Sequence, residues 1–272
     1  MNLNQLFKMI DLDKVDQDEV KYEGARRGFI KKAGEFSFKA LLAALPVGLT
    51  MMPKIAKAQG SAVVQTLNFA LLLEYLERDF YRMGLDASGL IPSAHRAIFE
   101  TIYKHEAAHV EFLRSALGSA QGEVPVFDFT AGGAFPTGFS DYAVFLTLSQ
   151  AFEDTGVRAY KGQAGNIQAA DDVLTAALQI HSVEARHASQ VRRLRGMQSN
   201  MMIKGWITNA ESDGAPQASY NGEDNTTHAM LNLNSIGSLS DISMDAKTES
   251  FDEPLTGAQV FAIVKPFVVK GT

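Results

Sequence analysis

Residues 182–187 read S-V-E-A-R-H and put Glu184 three positions before His187. Ile180, Val191 and Leu194 fall on the same side of a helix drawn through this stretch, because residues three or four apart share a helical face. A carboxylate and an imidazole on an apolar stripe need a cause. An unpaired charge taken into a core is costly, and a cation bound there would remove that cost.

The pattern recurs. Glu106 stands three before His109, on a stripe carrying Phe99, Ile102, Leu113 and Ala116. Two further glutamates lie in strongly apolar helical segments, Glu74 in L-N-F-A-L-L-L-E-Y-L-E-R-D-F-Y and Glu153 in the later half, each followed seven residues on by a tyrosine, Tyr81 and Tyr160. The lone glutamates are offset by 79 positions and the Glu-x-x-His pairs by 78, as are Gly118 and Gly196. One helix pair has been used twice, which suits two-fold packing of helices.

Apolar periodicity predicts four helices. The first runs from Ser61 to about Tyr81 and is broken by Gly84 and the Gly89–Pro92 stretch. The second, with Ser93 as its cap, reaches about Leu117 and stops at Gly118. Residues 118–139, rich in Gly and Pro, read as a crossover. A third helix follows Ser140 to about Gly162, and a fourth spans about Ala170 to Arg195 and ends at Gly196. Loops that run short, long, short belong to a four-helix bundle with one long crossover.

Four carboxylates and two imidazoles turned into such a bundle would repel one another without cations. Two divalent ions would balance them, with carboxylate oxygens free to bridge. One Glu from each of two helices, plus Glu-x-x-His from each of the other two, is the di-metal carboxylate pattern of the ferritin-like bundles. Residues 61–196 resemble that superfamily. The L-N-F-A-L-L-L-E-Y-L-E-R-D-F-Y stretch, together with F-D-E-P-L-T at 251–256, resembles its exported bacterial members of the desiccation-related type. The resemblance implies an all-α fold and the metal ligands Glu74, Glu106, His109, Glu153, Glu184 and His187. Glu77, three after Glu74, is an alternative ligand. Tyr81, Tyr160 and His181 are either partners of the ligands or ordinary core and surface residues. His105 falls off the stripe and is expected to be exposed. His95 and His228 have no supporting pattern. Arg192, Arg193 and Arg195 read as positive charge at a helix C-terminus.

The bulk properties narrow the function. The chain has 272 residues, 46% of them hydrophobic, a net charge of −6 and no cysteine. An acidic chain is a poor nucleic-acid partner, and without thiolates any metal must be held by nitrogen and oxygen. Residues 25–31, A-R-R-G-F-I-K, precede an apolar run and then A-K-A-Q at 56–59. This resembles a twin-arginine export signal built on Arg26 and Arg27, with cleavage after Ala58. Residues 1–58 are therefore expected to be an address read by the twin-arginine machinery, and the mature protein to be periplasmic. Residues 197–272 are expected to be an irregular extension, with a short last helix from Gly257 to Val264 capped by Thr256 and stopped by Pro266.

The expected cofactors are two divalent ions, Fe or Mn, and the expected reaction partner is a small oxidant, dioxygen or peroxide. The alternative is a non-catalytic exported metal-binding stress protein. The sequence leaves the metal, the electron donor and the oligomeric state open.

Overall fold

The computed structural model describes residues 61–269; the expected export signal lies outside them. Four long helices form the body: α1 (Ser61–Asp86), α2 (Ser93–Leu117), α3 (Tyr142–Gln163) and α4 (Asp171–Ser199). α1 packs along α2 and α3 along α4, and α1 meets α3 across the centre. The fold is an all-α bundle with the long crossover between α2 and α3. No described helix is long and apolar enough to cross a membrane.

α1 is buried on every side from Thr66 to Glu77, and α3 from Leu148 to Tyr160. These are the two central helices, which is why their sequences are apolar around the whole turn. The apolar core falls into two masses. One gathers Phe80, Phe99, Ile102, Phe145, Phe152, Val191 and Leu194, with Phe80 against the rings of Phe129, Phe139, Phe145 and Phe152. The other gathers Leu67, Leu71, Val110, Leu113, Leu117 and Ile180. On α2 and α4 the Glu-x-x-His pairs sit between the two masses, so the polar groups lie in a gap sealed at both ends.

Helix boundaries differ from the sequence reading in four places. Gly84 does not break α1. It lies inside the helix, where a Cβ would stand 2.3 Å from Phe145 Cε2, so glycine serves the approach of a buried ring. Ser93 is the first residue of α2, after Pro92, and makes no side-chain cap. The cap of α3 is Asp141, whose carboxylate accepts from the Ala143 and Val144 amides, and not Ser140. Gly196 is buried inside α4, where a Cβ would press on the Met201 and Ile203 carbonyls. The helix ends at Asn200 in the left-handed conformation.

The extension is built from short elements that lie on the bundle. Two-residue strands β2 (Thr227–His228) and β3 (Leu231–Asn232) form a hairpin, and α5 spans Met244–Thr248. The final helix α6 (Gly257–Val264) carries the expected Thr256 cap, completed as a capping box by Gln259. The crossover strand β1 (Val126–Phe127) pairs with β4 (Val268–Val269), tying crossover and tail together.

Buried arginines latch the extension down. Arg158 of α3 is 1% exposed. It donates to the carbonyls of Ser219, Asn221 and Glu253 and pairs with Glu223 at 2.7 Å. The Leu255 amide returns a bond to the Arg158 carbonyl, and Gly162 leaves room for the Leu255 backbone. The F-D-E-P-L-T segment is thus a strap along α3.

Arg192 and Arg195 are corrected in the same way. They do not mark the positive end of a helix. Arg192 bonds to Asp154 at 2.8 Å and to Asp213, and Arg195 bonds to Gln150 and to the Asp213 carbonyl. Both are buried.

Replacing Arg158 by Met should leave Glu223 buried without its cation. The expected loss is about 3–5 kcal/mol of unfolding free energy, read from the urea midpoint. A loss below about 1 kcal/mol, the size of an exposed pair, would contradict the latch.

Candidate metal centre

Six side chains meet in the gap between the two apolar masses. Glu74 comes from α1, Glu106 and His109 from α2, Glu153 from α3, Glu184 and His187 from α4. They form two groups. In one, ligand atoms of Glu74, Glu106, His109 and Glu184 lie within 4.8 Å of one another; in the other, those of Glu106, Glu153, Glu184 and His187 do. Glu106 and Glu184 belong to both. Each group therefore has its own lone glutamate and its own histidine, and the two Glu-x-x-His carboxylates stand between.

All four carboxylates are 0% exposed. His109 Nδ1 lies 3.1 Å from Glu74 Oε2, 3.0 Å from Glu106 Oε2 and 3.2 Å from Glu184 Oε1. His187 Nδ1 lies 2.8 Å from Glu106 Oε1, 3.5 Å from Glu153 Oε2 and 3.6 Å from Glu184 Oε2. Yet His187 Nδ1, Glu106 Oε1, Glu153 Oε2 and both Glu184 oxygens have no hydrogen-bond partner. These atoms are close but badly angled for hydrogen bonds, as lone pairs are when they converge on a shared point. Buried polar atoms are rarely left so. An ion at that point would satisfy them together. The donor set of oxygen and imidazole nitrogen fits iron, manganese or zinc better than a soft metal.

The electrostatics describe the same conflict. Burial raises the Glu106 carboxyl to about 8, with the Glu184 charge adding to the push. Burial likewise raises Glu153 to about 7, against the pull of His187. Glu184 resists burial because His109 and His187 hold it down at about 2. Burial also disfavours charge on the two imidazoles, but the surrounding carboxylates win and raise both. In the metal-free protein, imidazolium protons stand in for cations.

The tyrosines explain the Glu-x6-Tyr spacing. Tyr81 of α1 donates to Glu153 of α3 at 2.5 Å, and Tyr160 of α3 donates to Glu74 of α1. Each central helix clasps the other's glutamate, leaving the second carboxylate oxygen for the site. His181 is half-buried and joins neither group, and its Nδ1 is buried without a hydrogen-bond partner. Glu77 is 2% exposed. It also lies outside both groups, and burial and the site carboxylates raise it well above the usual range.

His105 has more to do than its exposure implied. Its Nδ1 lies 2.9 Å from His187 Nε2 with the rings stacked. It fixes the outer nitrogen of an imidazole whose inner nitrogen faces the carboxylates. His105 also lines a groove of about 530 Å³ between α2 and α4, with Thr101, Val183, Arg186 and Gln190, that reaches His187. Its position one residue before Glu106 gave no periodic signal. Only the register of α2 against α4 brings it to His187.

The ferritin-like domain model matches residues 62–197. The chain belongs to that family. No curated protein and no solved structure gives a match. The matched segment of this ferritin-like chain covers α1 to α4 and all six converging residues, and ends where the extension begins.

Chelated protein should be most stable near about pH 5 and lose melting temperature toward about pH 8. The sign follows from each group. Glu106 and Glu153 keep protons in the folded state that the unfolded chain releases near 4.5, so rising pH favours unfolding between these values. The raised histidines act in the same direction above their unfolded value. Glu184, held low, contributes only a loss on acidification below about pH 5. Metal-loaded protein should show a flatter profile, since the ions replace those protons. A chelated protein whose melting temperature climbed from about pH 5 to 8 would contradict this electrostatic picture.

Proposed function

We propose that the chain is an exported oxidoreductase with a di-iron or di-manganese centre acting on dioxygen or peroxide. The observation that carries the metal reading is the pair of overlapping ligand groups, with buried oxygens and a nitrogen that lack any other partner. The groove that reaches His187 supports catalysis over a purely structural ion, because it brings open space up to one of the proposed ligands.

Bound iron or manganese would supply a change of oxidation state and an open coordination position. Glu74 and His109 would hold one ion, Glu153 and His187 the other, each together with Glu106 and Glu184, which belong to both groups. Tyr81 and Tyr160 would keep the terminal carboxylates turned inward. The two apolar masses would exclude bulk water from both ends of the site. The Arg26–Arg27 motif and the likeness to desiccation-related exported proteins support delivery to the periplasm by the twin-arginine route, and a role in oxidative or drying stress.

Purified full-length protein should carry two iron or manganese ions per chain by elemental analysis, and should consume peroxide or oxidise ferrous ion. Glu184→Ala, which removes a group shared by both positions, should lose both ions; Glu153→Ala should lose one. Loaded protein inert in both assays would favour the alternative, a non-catalytic metal-binding stress protein. Absence of bound metal, with no uptake on reloading, would end the metal reading altogether.

A further inference from the structure

The two halves of the centre are related by an offset of 79 residues at the lone glutamates and at the tyrosines that follow them, but not at Glu77. Glu74 matches Glu153, but Glu77, three residues after the first, matches Gly156, three residues after the second. The mismatch is compensated in space. A Cβ on Gly156 would stand 2.9 Å from Glu77 Oε1 and 3.8 Å from Glu184 Oε2. The Glu77 carboxylate therefore occupies the room that a side chain at position 156 would have filled, one helical turn along α3 from Glu153, and Glu184 borders the same space.

We propose that Glu77 is a seventh protein ligand, serving the metal position held by Glu153 and His187, and that glycine at 156 is what admits it. This rests on the di-metal reading of the site. Glu77 is 2% exposed, one turn along α1 from Glu74 and on the same face. Beside it, Glu153 Oε2 and both oxygens of Glu184 are buried without hydrogen-bond partners. Of the charges that repel it, Glu184 acts most strongly and Glu153 next, ahead of Glu106 and of Glu74 on its own helix. A carboxylate held among carboxylates is tolerable when it shares their cations. Glu77 lies outside the two ligand groups, so to serve as a ligand its carboxylate would have to turn toward them. His105 marks the same half, since it braces His187 and its counterpart by the 78-residue offset is Val183. The two metal positions are thus unequal by construction, and the Glu153–His187 position should hold its ion more tightly.

Titration calorimetry of chelated full-length protein with Mn²⁺ tests this. Wild type should bind two ions in two steps of unequal affinity. Glu77→Gln should weaken one step by about 10–100-fold, the range seen when a group that supports a metal site is removed, and leave the other unchanged. Gly156→Ala should weaken the same step by displacing Glu77. Glu77→Asp, which keeps the charge but draws it back, should give a smaller loss. The melting temperature of chelated Glu77→Gln should equal or exceed that of wild type, whereas a merely structural Glu77 would lower it. Wild type that took up no ion would overturn the di-metal reading, and this inference with it. Wild type that bound two ions, with both steps unaltered in Glu77→Gln, would overturn the role of Glu77 alone.

Discussion

Mutual repulsion among carboxylates in a space without water is the constraint on which the rest of this molecule turns. Glu74, Glu106, Glu153 and Glu184 are fully buried, and each would be expensive there alone. In the metal-free state the chain meets that cost with protons on Glu106, Glu153, His109 and His187. It is an imperfect arrangement, since several oxygens stay without a partner. The bundle therefore holds these six groups together without an ion, and the proton inventory of the site would change if a cation bound there.

Holding them there takes a rigid frame, which accounts for features remote from the site. α1 and α3 carry the lone glutamates and are the two most deeply buried helices. Their tyrosines cross over to each other's glutamate, so a shift of one central helix would be felt on the opposite one. The extension then clamps α3 and α4 from outside through Arg158, Arg192 and Arg195. Each of these guanidiniums reaches backbone carbonyls of the extension as well as carboxylates or amide side chains, so helix and strap are joined by bonds that cannot re-form elsewhere without leaving charge buried. Tail and crossover close the same side through β1 and β4. The groove between α2 and α4, lined by His105 and His187, is left open.

What could be read from the sequence follows from the range of the interactions involved. The four helices and the six converging residues were legible because both rest on local spacing: apolar residues at helical period, and Glu and His three apart. The Glu-x6-Tyr repeat was visible as a pattern, but its meaning was not, because the bonded pairs are Tyr81 with Glu153 and Tyr160 with Glu74 and depend on how α1 lies against α3. Helix ends were misplaced where a glycine answered to a neighbour in space, as Gly84 does to Phe145 and Gly196 to residues 201 and 203. Arg192 and Arg195 were misread because a dipole argument needs only the helix, whereas their partners Asp213 and Gln150 lie on other elements. His105 was passed over for the same reason.

The internal repeat is more informative where it breaks than where it holds. A doubled helix pair with two-fold symmetry would make two identical metal positions, and identical positions give a redox centre no preferred order of filling or oxidation. Two of the unmatched residues beside the site fall on one side. Glu77 fills the space over Gly156 that Glu184 also borders, and His105 braces His187 where the other half has Val183. Neither difference touches the two shared carboxylates, Glu106 and Glu184, as ligands of both groups, or the tyrosine clasps, so the repeated frame is kept while, on the proposed reading, one position would gain charge and support. A two-ion redox centre of the kind proposed would benefit from such a difference. The repeated spacing supplies the frame, and Glu77 and His105 would distinguish two ions held within it.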